Sequence, residues 1–532
     1  MLLILAVILS VIVSLWLLTT SHKPRGSLPP GPPRLPILGN IDAFPPRDGP
    51  EWRFWQKHLA EYGPVSSIEL FGQVMIIINT PDAANEILER TASTTRSIPN
   101  STMAKMSGWG NSLSTDQNLL LWREIRMRMK QEIGSKQLVS RHHPQMGVTV
   151  RRLMLNILRS PEHVREHFAR DVAGFMLSMC YGYTIAPHGD DRMYHIAERG
   201  VAHFQEIFTP LNWMVNQFPI MRFIPSWFPG AVFVRKAAEF KACSLEFESL
   251  PRQFVEAKMT QGSELESESG SKSETFRPSM LSKMLEQGPY EAGSQQETAV
   301  LWSAIEVFLG GSETLPSMMT SSIVALSMNP DVQRKAQEEL DGVVGYTKLP
   351  ESQHRPSLPY VNAIVKEVFR WRPPAPVAAP HVAGTDIIWN GYFIPRGAYL
   401  IANIGALTHD PSIYANPNKF NPERFLATET NSPEPDPARY VFGFGRRKCP
   451  GRFVADDRLF LFIAHFLSCF EIKPKIDGAK EPKWLPGIIT HPEPFEMRIT
   501  PRSQEHQALI RSVEEEYPWD GSDAEVVKGF SV

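Results

Sequence analysis

Apolar residues spaced three and four apart dominate the chain and predict a mainly α fold with a small β-sheet region. Gln295 to Met328 predicts one very long helix, interrupted only by Gly310-Gly311 and Pro316. Asp331 to Val343, Tyr360 to Trp371 and Arg452 to Phe470 predict further helices, and Asp116 to about Arg170 is largely helical in pattern. Asp82 to Glu89 reads as a helix opened by Pro81-Asp82. Glu69 to Asn79 holds Val74-Met75-Ile76-Ile77-Ile78 and predicts a strand, as do the shorter Asp386 to Trp389 and Tyr399 to Asn403. The polar, low-complexity stretch Gly262 to Lys272 predicts a disordered surface loop. After about Thr500 the chain is polar and acidic, which predicts a frayed tail. No internal repeat is evident.

The N-terminus breaks this pattern. Leu2 to Leu18 is apolar except for Ser10 and Ser14, nearly long enough to cross a bilayer core of about 30 Å. No Lys or Arg precedes the run, whereas Lys23, Arg25 and Arg34 follow it. That asymmetry favours a retained anchor with the rest of the chain cytosolic over a cleaved signal peptide. It also argues against glycosylation at Asn100-Ser101-Thr102. Leu28-Pro29-Pro30-Gly31-Pro32-Pro33 then makes a stiff spacer. The expected organisation is an anchor over 1–20, a proline-rich hinge over 21–40, one large domain over 41–500 and a polar C-terminal tail over 501–532.

Composition changes this picture little. A formal net charge of −2 over 532 residues gives no reason to expect a nucleic-acid partner. The 46 prolines fall mainly in connecting segments. The four cysteines, Cys180, Cys243, Cys449 and Cys469, are too few for a disulfide scaffold and lack metal-finger spacing. Three of them read as buried, reduced thiols.

Cys449 differs because of its neighbours, Phe442-Gly443-Phe444-Gly445-Arg446-Arg447-Lys448-Cys449-Pro450-Gly451. Gly443, Gly445 and Gly451 permit backbone conformations and close approaches that other residues resist. Pro450 and Gly451 lead into an apolar helix, which puts Cys449 at a helix N-terminus where an anion is favoured. Phe442 can shield one side of the sulfur. These residues resemble the haem-binding pattern of the cytochrome P450 superfamily, Phe-x-x-Gly-x-Arg-x-Cys-x-Gly, matched at Phe442, Gly445, Arg447, Cys449 and Gly451. The overall style is similar to membrane-anchored fungal members of secondary metabolism.

The resemblance extends to other segments and implies roles for them. It makes Cys449 the thiolate ligand of a haem b iron. Trp122 and Arg126, one helical turn apart, would bind the haem propionates with Arg447, and His381 of Pro380-His381 would be a further donor. Glu367 and Arg370, with Arg424 of Phe420-Asn421-Pro422-Glu423-Arg424-Phe425, would form a buried network holding the fold. Gly310-Gly311-Ser312-Glu313-Thr314 matches the family's oxygen-binding segment on the helix above the haem, with Glu313 and Thr314 as its acid–alcohol pair. Pro316 cannot donate to the Ser312 carbonyl, so the helix is expected to open there.

The activity implied is monooxygenation of a small apolar molecule, a terpenoid or polyketide, using O2. Electrons would come from NADPH through NADPH–cytochrome P450 reductase at the endoplasmic reticulum membrane. No Gly-x-Gly-x-x-Gly fingerprint supplies a dinucleotide site within the chain itself. Arg123, Arg128, Lys130, Arg446 and Lys448 could form a basic docking face for the reductase. Candidate pocket walls are 97–114, 204–228, Ile305, Phe308, 377–379 and 487–490. Two other readings remain: a haem-thiolate isomerase or dehydratase, and a non-enzymatic haem carrier or sensor.

Overall fold

A computed structural model describes residues 26–46, 49–115, 118–269, 277–429, 432–476, 478–519 and 521–531. The expected membrane anchor lies outside the described residues. Among those described, no helix is long and apolar enough to cross a membrane. The chain divides into two compact units.

Unit 1 gathers three separate stretches, the chain up to Pro99, Val377–Leu407 and Gly443–Lys448. It contains helix α1 (Glu51–Tyr62) and a four-stranded sheet. Strands β1 (Val65–Leu70) and β2 (Gln73–Ile78) pair antiparallel, from Val65 opposite Ile78 to Leu70 opposite Gln73. The strand expected over Glu69–Asn79 takes in β2 and only the end of β1, because their turn, Phe71-Gly72, is not an Asn-Gly or Asp-Gly signal. Both turn residues nevertheless have positive φ, 49° and 83°, as a two-residue type I′ hairpin requires. Strand β3 (His381–Val382) and the hairpin β4 (Ile387–Trp389)–β5 (Tyr392–Ile394) follow. Strand β6 (Tyr399–Ala402) lies parallel to β2 and antiparallel to β3, giving the order β1-β2-β6-β3.

Trp55, Ile68, Leu70, Met75, Ile77 and Ile401 form the small core of this unit. The proline-rich spacer is pinned against β1. The Ser67 amide donates to the Pro30 carbonyl at 2.8 Å and its hydroxyl to the Pro29 carbonyl at 2.6 Å. A Cβ at Gly31 would lie 1.9 Å from the Ser67 carbonyl oxygen, so glycine alone fits there.

Unit 2 holds the remaining chain. Its helices are α2 (Leu119–Ile133), α3 (His143–Arg159), α4 (Val164–Tyr181), α5 (Arg192–Phe208), α6 (Val232–Ser269), α7 (Gln295–Met328), α8 (Pro330–Val343), α9 (Pro359–Trp371) and α10 (Arg452–Cys469). Helix α7 packs on α4, α2 and α10 at the centre of one large apolar core. It is buried along most of its length, as a helix surrounded by others must be. The helix runs unbroken through Pro316, which leaves the Ser312 carbonyl without its helical donor. Helix α6 continues into the low-complexity stretch as far as Ser269, where a disordered loop was expected, and 270–272 lie outside the described residues.

Past the hairpin β7 (Phe470–Pro474)–β8 (Met497–Pro501), the tail forms α11 (Gln504–Glu516) and α12 (Ala524–Lys528) instead of fraying. Buried Ile510, Val513 and Val527 hold these helices down. Arg192 donates to the Phe530 carbonyl at 2.7 Å, and Lys258 pairs with Asp523 at 2.8 Å. The polar composition had hidden these anchors.

Candidate active site

Within unit 2, Cys449 stands immediately before α10, separated from it by Pro450 and the N-cap residue Gly451. Its amide donates to the Phe442 carbonyl at 2.7 Å and closes the loop. The Phe442 ring packs edge-on against Phe369, with centroids 5.2 Å apart. Burial pushes the Cys449 thiol up. The Gly451 N–H, bonded to the sulfur, and the charges of Arg126 and Arg452 oppose that shift. Gly451 has an ordinary φ of −83°, so its contribution is this N–H and not an unusual backbone. The other three cysteines are buried, whereas Cys449 is only half-buried.

Arg126 lies one turn beyond the buried Trp122 on α2 and is close enough to Cys449 for each to influence the other's charge. Burial lowers the Arg126 pKa, and Cys449 and Glu306 act in the opposite direction.

Helix α7 is buried from Ala299 to Ser327 except at Glu306 and along Gly310–Thr314. Gly310 is exposed, and a Cβ built on it meets nothing within 4 Å. Gly311, by contrast, packs so closely on Met176 that a Cβ would lie 2.6 Å from its methyl carbon. The glycine pair therefore has two faces, one open and one in tight contact. Thr314 donates its hydroxyl to the Gly310 carbonyl at 2.6 Å. Glu313 Oε1 lies 2.7 Å from His491 Nε2. Burial raises the Glu313 pKa, but hydrogen bonds from His491 and Gln205 and the His491 charge outweigh it and hold the carboxyl below its usual range.

Unit 1 brings His381 and Arg447 together on one segment. His381 Nδ1 donates to the Thr95 carbonyl at 2.7 Å, and Arg447 Nε to the Arg96 carbonyl at 2.6 Å. Gly445, φ 54°, packs where a Cβ would lie 2.8 Å from the Leu88 carbonyl oxygen, and its amide donates to Glu89. Burial lowers the His381 pKa to about 4, with Arg447 adding to the shift.

A profile of the Cytochrome P450 family matches residues 29–499. The O-methylsterigmatocystin oxidoreductase of Aspergillus flavus is 46% identical over 522 residues, spanning 98% of this chain and 97% of its own. The chain belongs to the cytochrome P450 family. Cytochrome P450 monooxygenase ppsD of Aspergillus oryzae is 36% identical, covering 96% of each chain. Cytochrome P450 monooxygenase claR of Ampulloclitocybe clavipes is also 36% identical, covering 96% of this chain and 94% of its own. The P450 is thus a monooxygenase, and neither the isomerase nor the carrier reading is needed.

P450 enzymes carry haem ligated by a cysteine thiolate, and Cys449 is the residue that would ligate it here. The structure fits a flat, iron-bearing group at two places in unit 2. Cys449 keeps partial access while the other cysteines are sealed, and α7 loses its cover only over Gly310–Thr314 and at Glu306. Trp122 and Arg126 have the donor chemistry for propionates, with the Arg126 charge placed near the thiolate. His381 is a weaker match. It is neutral with Nδ1–H committed to Thr95, so Nε2 is an acceptor, and donation to a carboxylate would require the imidazolium.

The fold-holding network matches expectation closely. Arg370 grips Glu367 through two hydrogen bonds of 2.7 and 2.8 Å, and Arg424 lies 3.2 Å away on the same carboxylate. Glu434, which the pattern did not suggest, adds a second acid 2.7 Å from Arg424.

One member of the expected docking face is corrected. Arg128 is buried, 3.1 Å from Glu124 and close to the Tyr290 ring, so it cannot meet a partner. Arg123 and Lys130 of unit 2 are exposed, as is Arg446 of unit 1. Sequence reasoning also missed His491 and Gln205, since nothing local marks a histidine 178 residues from the glutamate it meets.

Proposed function

We propose that this P450 inserts oxygen into a small apolar molecule of fungal secondary metabolism, a terpenoid or polyketide, with electrons from NADPH–cytochrome P450 reductase. The observation that carries this reading is the opening of α7 at Gly310–Thr314, where an acid and an alcohol border free space inside an otherwise buried helix. When bound, haem supplies the activation of O2, placing one oxygen atom in the substrate and the other in water for two electrons and two protons.

The chain's own residues do the rest. Cys449 would hold the iron with its sulfur, tempered by the Gly451 N–H. Trp122 and Arg126 would orient the group by its propionates. The Thr314 hydroxyl, one hydrogen bond from the Gly310 carbonyl, is placed to pass a proton into the open space, and Glu313 to replenish it. Apolar Phe308 and Ile305, on the same helix as this pair, suit a ligand with few polar groups.

The proposed site of action is the endoplasmic reticulum membrane, with the apolar N-terminal run as anchor and the catalytic part cytosolic. Large apolar side chains left exposed at Ile220, Phe223 and Trp227 of unit 2 support a membrane-facing surface. The test is expression in reductase-containing membranes. The reduced carbon monoxide complex should show the thiolate band, and C449S should lose it. Turnover is then tried first with O-methylsterigmatocystin, after which one relative is named, and next with terpenoids. NADPH-dependent oxidation of no apolar candidate in either class would overturn the substrate reading.

A further inference from the structure

Glu313 is held by side chains from two other parts of unit 2. His491 bonds it from the loop before β8, at 2.7 Å, and Gln205 of α5 lies near enough to help lower its pKa. That loop is itself braced. Ser317, one turn beyond Glu313 on α7, donates its hydroxyl to the Thr490 carbonyl at 2.7 Å. The Thr490 amide donates to the Pro374 carbonyl at 2.9 Å, and the Leu485 amide to the His491 carbonyl at 2.7 Å. His491 thus projects from a fixed backbone, about a quarter exposed, as Glu313 is. The neighbours of Glu313 on α7, Ser312 and Thr314, send their hydroxyls back to the helix carbonyls of Phe308 and Gly310. Neither takes part in placing the carboxylate.

We propose that His491, with Gln205 beside it, is a positioning residue that holds the Glu313 carboxylate for proton delivery, and so ties that delivery to the loop before β8. Gln205 falls within 204–228 and His491 directly follows 487–490, the two segments expected to touch the substrate. A ligand that displaces either segment therefore also moves the acid. The inference rests on Glu313 being the proton-delivering acid of the proposed function.

The test uses full-length holoenzyme, with the reduced carbon monoxide band confirming that each variant folds. Infrared difference spectra across pH follow the Glu313 carboxyl, which E313Q identifies by deleting its band. In H491A the carboxyl should take up its proton roughly one pH unit higher than in the wild type. H491Q should fall between them, because its amide keeps a donor without the charge, and Q205A should shift the carboxyl less. Identical titration of wild type and H491A overturns the proposal.

A second measurement separates the proposal from the reading beneath it: hydrogen peroxide released per NADPH consumed, with reductase and no added substrate. E313Q should change this ratio several-fold. H491A should change it in the same direction, and should add nothing in the E313Q background. A ratio unchanged in E313Q overturns the role of Glu313 itself. A ratio changed in E313Q but not in H491A overturns the positioning role alone.

Discussion

Glu367 and Glu313 each accept hydrogen bonds from a basic side chain, and the settings of the two carboxylates are opposite. Glu367 is fully buried, bound by Arg370 through both oxygens, by Arg424 and by the Asn421 amide at 2.7 Å. Arg370 in turn donates to the Thr408 and Pro417 carbonyls at 3.0 and 2.7 Å, which ties α9 to the segment after it. Nothing in that network is free to move without leaving a charge unsolvated. Glu313 is 27% exposed, bound by one histidine and one amide, and borders the open stretch of α7. A carboxylate with every acceptor site filled is a structural part. One with few partners, one of them a histidine, can exchange a proton.

This contrast can be broken most severely at Glu367. E367Q or R370A removes one partner from a buried pair and should cost about 3–5 kcal/mol. Denaturant unfolding and loss of the reduced carbon monoxide band would register it. E313Q should leave that band and the unfolding midpoint nearly intact while lowering product formation by roughly 10²-fold or more. If E313Q unfolds the enzyme as E367Q does, the distinction between the two carboxylates fails.

A middle case is Arg128, paired with Glu124 where a surface role had been expected. R128A should destabilise by about 1–3 kcal/mol, the cost of leaving a partly buried acid without its partner. R123A and K130A should change stability by no more than about 0.5 kcal/mol and instead weaken reductase-supported turnover, more so at low salt. The smallest effect concerns pH. Because the folded Glu313 pKa is depressed, its contribution to stability is present above the usual carboxylate range and is lost as pH falls through the lowered value. Partial exposure keeps that contribution under about 1 kcal/mol. The acid limb of the stability profile should therefore be slightly shallower in E313Q.

What the sequence made legible follows from how local each signal is. The cysteine loop, the full extent of α7 and the Glu367–Arg370 pair announce themselves within a few residues, because helix period and short spacings encode them directly. Glu434 and His491 are joined to their partners only by the fold, so no window of sequence contains both ends of either contact. The turn at Phe71-Gly72 escaped because tertiary packing holds a phenylalanine at positive φ, where the usual residues are Asn and Asp. The tail helices were misread from their polar surface, although Ile510 and Val513 already stood at helical spacing. Pro316 removes one backbone donor without ending a helix that packs on α4, α2 and α10, and the space beside that helix shows at Gly310.

The strand order of unit 1 has a consequence for synthesis. Strand β2 carries Val74-Met75-Ile76-Ile77-Ile78, and its parallel partner β6 begins 324 residues after Met75. At roughly 5–20 residues per second, a ribosome delivers that partner only after about 15–65 s. Until then β1 covers one edge of β2, while the other edge is a β-branched, charge-free template for pairing with a neighbouring nascent chain. High-level expression of this P450 should therefore be limited by chaperone capacity during translation, and slower growth at low temperature should raise the soluble yield more than any change made at the haem site.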